Sequence, residues 1–130
     1  ISFLPKNKFL ARLSSNTDQR GRFVEFVKSR DFGQISFFSI KPNKQRGDHY
    51  HNSKVEQFLI LQGKAKITYK DISNKNLFSK TINSKEPKSF YSIPGWLHTI
   101  KNTGKSELIG IVWANEIFNK KIPDTFKLND

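Results

Sequence analysis

Apolar and polar side chains alternate with a period of two along much of the chain. The alternation runs through residues 35–40, 55–61 and 65–69 and, less strictly, through 23–27. Successive side chains of a strand point to opposite faces, so each such run predicts a strand with one face buried. Further runs rich in β-branched and aromatic residues, at 77–82, 90–93 and 108–113, predict three more. Turn-forming groups stand between them: Arg20-Gly21, Pro42-Asn43, Gln62-Gly63, Pro94-Gly95 and Asn102-Thr103-Gly104. Short strands at this spacing predict an all-β chain folded as an antiparallel sandwich or barrel. Helical pattern is confined to two short stretches near the termini, at 5–10 and 116–119.

No internal repeat, low-complexity tract or linker divides residues 1–130, which read as one domain with one hydrophobic core. Only 35% of the residues are apolar, so the twelve Phe supply much of what is buried. Cys is absent, which excludes disulfides, thiolate chemistry and Cys-type zinc sites. No apolar run approaches the roughly 20 residues that cross a bilayer, so no membrane insertion is expected; a cytoplasmic location is. The formal charge is +12, from 23 basic and 11 acidic residues. That balance favours an anionic partner such as a phosphorylated small molecule. The Lys are scattered and no basic helix is present, which argues for a solvated surface and against a nucleic-acid partner. The chain contains no Met and opens at Ile1, as expected for the C-terminal part of a longer enzyme or a domain freed from one.

Candidate chemistry concentrates in Gly47-Asp48-His49-Tyr50-His51-Asn52-Ser53-Lys54-Val55-Glu56. If this segment is extended, His49 and His51 share a face and can share a metal ion. Glu56 opens the next strand and can add a carboxylate oxygen. His98 follows the Pro94-Gly95 turn, where a returning strand can bring it across the barrel. Nitrogen and oxygen ligands of this kind suit zinc, iron, manganese, nickel or cobalt and do not choose among them. Lys54, close in sequence to these residues, is a candidate acid or base.

The spacing His49-x-His51, then Glu56, then Gly63, is similar to the first cupin motif. Pro94-Gly95-Trp96-Leu97-His98 with Asn102 resembles the second, with one residue fewer between proline and histidine than in many cupins. The resemblance implies a double-stranded β-helix, or jelly-roll barrel, with one divalent ion in its mouth held by His49, His51, Glu56 and His98. Phe58, Ile60, Ala65, Ile67 and Tyr69 would line its inner face. Asp18-Gln19-Arg20-Gly21-Arg22-Phe23-Val24-Glu25 and Arg46-Gly47-Asp48-His49-Tyr50 resemble two stretches of the nucleotide-linked deoxysugar 3,5-epimerases. This second likeness implies that Arg20 and Glu25 bind a nucleotide-diphosphate sugar and that His49 is the catalytic base; Arg46, like Arg20, has a planar guanidinium suited to the diphosphate.

The closest likeness covers nearly the whole chain. It is to the C-terminal cupin domain of bifunctional capsular and O-antigen enzymes that make the precursor of UDP-N-acetyl-L-fucosamine. It is carried by Phe3-Leu4-Pro5-Lys6-Asn7-Lys8-Phe9, by 20–25 and 49–58, by Trp113-Ala114-Asn115-Glu116-Ile117-Phe118 and by Pro123-Asp124-Thr125-Phe126. The family resemblance implies a zinc-containing epimerase acting at C3 of a UDP-4-keto-6-deoxy-N-acetylhexosamine, a homodimer, and an NADPH-dependent reductase domain or partner. No glycine fingerprint for a dinucleotide occurs in these residues. A His49 nitrogen that gives its lone pair to a metal cannot also be the base, so those roles are alternatives, and Lys54 or a metal-bound water is then the proton carrier. Two other activities use the same ligands: an iron-dependent dioxygenase, and a non-catalytic sugar-binding or regulatory cupin.

Overall fold

The computed structural model describes residues 9–121 and 123–127. Its strands are β1 (Ser15–Asp18), β2 (Gly21–Ser29), β3 (Gly33–Ile40), β4 (Gln45–His49), β5 (Glu56–Gln62), β6 (Lys64–Asp71), β7 (Leu77–Asn83), β8 (Ser89–Ser92), β9 (Trp96–Asn102) and β10 (Leu108–Ala114). They form a six-stranded sheet, β1-β2-β3-β10-β5-β8, and a four-stranded sheet, β4-β9-β6-β7, with every pairing antiparallel. The two sheets face each other as the double-stranded β-helix of the cupins.

Burial follows the alternation in the sequence. Phe58 and Ile60 of β5, Ala65, Ile67 and Tyr69 of β6, and Leu108 and Val112 of β10 all point into the space between the sheets. Phe58 stacks on Phe90 at 4.9 Å between ring centroids and meets the edge of Phe38 at 6.2 Å. Burying one such ring contributes roughly 1.5–3 kcal/mol. Gly110 makes room for one of them, because a Cβ there would lie 2.5 Å from Phe38 Cζ. Asn102 at the end of β9 ties the sheets together. Its buried amide donates to the carbonyls of Ile40 and Ser106, both at 2.8 Å, and its oxygen accepts from the N–H of Gly104.

No helix occurs among the described residues. The stretch 116–119, where a short helix was expected, is an irregular loop because its backbone is engaged elsewhere. Asn115 exchanges hydrogen bonds with Val55, and the N–H of Phe118 donates to Gln34 Oε1. Of the other expected helical stretch, 5–8 lies outside the described residues and 9–10 is a bend.

Candidate metal centre

The centre is assembled mainly by strand register. In the pairing of β4 with β9, Arg46 faces Ile100, Gly47 faces Thr99 and His49 faces His98, so Asp48 is an extra residue forming a β-bulge. Gly47 and Asp48 both carry positive φ, at 99° and 62°. Only glycine fits at 47, since a Cβ would sit 2.4 Å from the His98 carbonyl oxygen. Asp48 is steadied from two sides, accepting from Gln45 Nε2 at 3.2 Å and Thr99 Oγ1 at 3.3 Å. On the other side of β9, Tyr69 lies opposite His98. Directly opposite residues of antiparallel strands share a face, so His49 and His98 meet inside the barrel.

His51 arrives on the loop that follows. Tyr50 bridges to Phe126 through two backbone hydrogen bonds, and their rings stack at 5.5 Å. This aims His51 inward, where its Nδ1–H donates to the Asp124 carbonyl at 2.7 Å and its Nε2 shares a hydrogen bond of 2.6 Å with Glu56 Oε1. Glu56 opens β5, its N–H donating to Ser92 Oγ at 2.9 Å. The imidazole centroids stand 4.8 to 5.6 Å apart. One donor atom from each of His49, His51, Glu56 and His98 lies within 4.8 Å of the others. The four predicted ligands, spread over fifty residues of sequence, therefore converge.

Electrostatics prepare the cluster for a cation. Burial, reinforced by the neighbouring imidazole of His51, pushes His49 down to about 4; burial with the charge of His49 pushes His98 down to about 3. For Glu56 burial acts upward, but the hydrogen bond and charge of His51 outweigh it and leave its carboxyl below the usual range. Neutral His49 and His98 beside an ionised Glu56 are protonation states that metal binding requires. His98 Nδ1 is buried without a hydrogen-bond partner among the described residues. The donor set thus fits a divalent ion of the zinc, iron or manganese type.

His49, His51 and Glu56 line a cavity of about 390 Å³ whose wall carries Arg20, Glu25, Arg46 and Lys54, and His98 lines, with His49 and Glu56, an adjoining recess of about 170 Å³. Lys54 is buried, with its ammonium 5.6 Å over the ring of Phe118. Arg46 donates from Nε to the Ser39 carbonyl and lies 5.9 Å over Phe23, while one terminal nitrogen is buried with no partner among the described residues. Burial and the charge of Arg20 lower its pKa. Arg20 is already engaged by Asp18 at 2.6 Å, which holds Asp18 down to about 2, and Glu25 pairs with Lys28 at 2.5 Å. The Tyr69 hydroxyl is likewise occupied, donating to the Tyr91 carbonyl at 2.6 Å.

Sequence reasoning gave no part to Asp124 or Gln34. Asp124 accepts hydrogen bonds from the backbone of 52–54, about 70 residues away. Its segment was noticed as a likeness, but no spacing rule links it to that turn. Gln34 lines the cavity, donating to Ser36 and holding the loop of Phe118. In sequence it reads as one more residue of an alternating strand.

Comparison with known proteins agrees with this architecture. The chain is 38% identical over 126 residues to a UDP-2-acetamido-2,6-beta-L-arabino-hexul-4-ose reductase of Pseudomonas aeruginosa, covering 97% of this chain and 34% of that protein. It superposes with a TM-score of 0.91 and 33% identity on the capsular polysaccharide assembling protein CapF of Staphylococcus aureus, covering 98% of this chain and 37% of CapF. An oxalate decarboxylase of Lactobacillus farciminis, at 19% identity and a TM-score of 0.71, shares the fold, covering 89% of this chain and 33% of that one. The chain spans about a third of the length of these relatives. Residues 16–126 match the polysaccharide biosynthesis C-terminal domain, and the chain belongs to that family, on a cupin fold.

Proposed function

We propose that this domain is a zinc-containing nucleotide-sugar isomerase, inverting C3 of a UDP-4-keto-6-deoxy-N-acetylhexosamine for capsular or surface polysaccharide biosynthesis. The observation that carries it is the His49–His51–Glu56–His98 cluster, three of whose members line a cavity walled by Lys54 and two arginines while His98 lines the adjoining recess. The Pseudomonas relative supports it, since it is named for a UDP-linked 4-ulose. A ketone at C4 acidifies the proton on C3, and inversion needs that proton taken from one face and returned to the other. His49, His51, Glu56 and His98 would hold the zinc ion, which would supply Lewis acidity towards a C4 carbonyl. Lys54 moves the proton on one face of C3, since a ligated His49 has no lone pair to spare, and water admitted to the cavity exchanges the proton on the other face. The unpaired Arg46 nitrogen and the free edge of Arg20 grip the diphosphate. Glu25, which lines the same cavity, is the residue offered to the nucleoside. Reduction at C4 belongs to a separate NADPH-dependent domain or partner.

The test is isotope exchange. Incubated with zinc and a UDP-4-keto-6-deoxy-N-acetylhexosamine in heavy water, the chain is expected to place deuterium at C3, read by NMR or mass spectrometry. A metal-loaded protein that exchanges no faster than buffer overturns the proposal. Stoichiometric iron with oxygen consumption would instead assign a dioxygenase.

A further inference from the structure

We propose that Asp124 is a positioning residue through which the C-terminal segment 123–126 and the metal centre stabilise each other. Its carboxylate accepts from the backbone N–H groups of Asn52, Ser53 and Lys54 at 2.9 to 3.0 Å and from Ser53 Oγ at 3.1 Å. The turn it gathers runs from ligand His51 through Lys54 towards ligand Glu56. The carbonyl of the same residue accepts from His51 Nδ1 at 2.7 Å. A carbonyl can only accept, so this bond keeps the proton on Nδ1 and directs the other nitrogen, Nε2, at Glu56 and the centre. Asp124 performs both tasks with φ at +44°, a backbone state that aspartate tolerates better than most residues. The Tyr50–Phe126 bridge and ring stack dock the segment beside it.

Coupling of this kind is reciprocal. Losing an outer partner of a metal-bound histidine typically weakens metal binding about 10–100-fold. If docking of 123–126 raises metal affinity by that factor, bound metal must favour the docked segment by the same factor. The segment is joined to the barrel by a loop with exposed Lys120 and Lys121, which trypsin cuts when the segment lifts. Lys88, exposed in the β7–β8 connection, provides a reference site remote from the centre.

The experiment measures trypsin cleavage of the full chain, mapped by mass spectrometry, after chelation and at saturating zinc. Zinc is expected to slow cleavage after Lys120 and Lys121 about 10–100-fold relative to Lys88. In Asp124→Gly, which keeps the backbone state and removes the carboxylate, zinc should bind about 10–100-fold more weakly by competition with a chelating dye. Equal slowing at all three lysines in the wild-type chain overturns the proposal, and so does wild-type zinc affinity in a folded Asp124→Gly. If Asp124→Gly fails to fold, the wild-type cleavage ratio decides alone. This inference rests on the metal-holding half of the proposed function: a chain that binds zinc but exchanges no deuterium leaves it standing, while one that binds no zinc removes both.

Discussion

Two of the three imidazoles are held neutral by burial, and metal-free protein should therefore lose stability on mild acidification. In the unfolded chain a histidine titrates near 6.5, whereas His49 and His98 take up protons only at about 4 and about 3 in the fold. Between those limits the unfolded state binds more protons than the native state, so stability falls as the pH falls. From pH 7.5 to pH 5 each imidazole costs about 2 kcal/mol, and the two together about 4 kcal/mol if they act independently. That is a large part of the roughly 5–15 kcal/mol of a typical domain. Carboxylates of ordinary pKa barely titrate in this window, which leaves the effect to the histidines. Urea unfolding of chelator-treated protein at the two pH values measures it. His49→Gln, which cannot titrate, should retain about half of the pH dependence. Metal-free wild-type protein equally stable at pH 7.5 and pH 5, to within about 1 kcal/mol, would refute the claim that these rings are buried and neutral together.

Zinc at a hundred times its dissociation constant should add about 2.7 kcal/mol to the stability of the chelated protein, seen as a rise in melting temperature that the chelator reverses. Lys54→Met should reduce C3 exchange by about 100-fold or more while zinc remains bound, which isothermal titration and isotope exchange test separately. Arg46→Ala should raise KM for the UDP-sugar about 10–100-fold with a smaller change in kcat, because a charged hydrogen bond contributes roughly 1.5–3 kcal/mol. An unchanged KM would remove Arg46 from the diphosphate site.

What the sequence discloses, and what it withholds, follows from how each feature is encoded. Most strands that flank the core were readable because each buries one face, as Ala65, Ile67 and Tyr69 do on β6, whereas the alternation did not mark β4 or β9. β1 was not, because its four residues, Ser-Asn-Thr-Asp, are all exposed and carry no alternation. The candidate ligands were readable because the pair His49 and His51 and the carboxylate at 56 lie within eight residues. His98 was placed by the turn before it and by the family motif, and its position depends on the pairing of β4 with β9. The hydrogen bonds of Asp124 join chain segments about 70 residues apart, a separation at which local pattern carries no information. The loop at 116–119 misled for the same reason: Gln34, which holds its Phe118 N–H, and Val55, which holds the preceding Asn115, are distant in sequence.

The bulge at Asp48 explains how one strand serves both halves of the site. Arg46 and His49 are three positions apart, and in a regular strand an odd spacing puts two side chains on opposite faces. Here both line the cavity, because Asp48 adds one residue that the partner strand does not match. The bulge in turn needs Gly47, whose φ of 99° and close approach to the His98 carbonyl exclude a side chain. Gly47→Ala should therefore do more than lower stability by the roughly 1–3 kcal/mol of local backbone strain. Relieving the clash requires the strand to regain its regular register, which turns either Arg46 or His49 outward. Zinc affinity or UDP-sugar affinity should then fall steeply while the other is largely kept, a split that a purely global loss of stability does not produce. Titrating both ligands against the folded variant tests this, and unaltered affinity for each would show that the bulge does not set the geometry of the site.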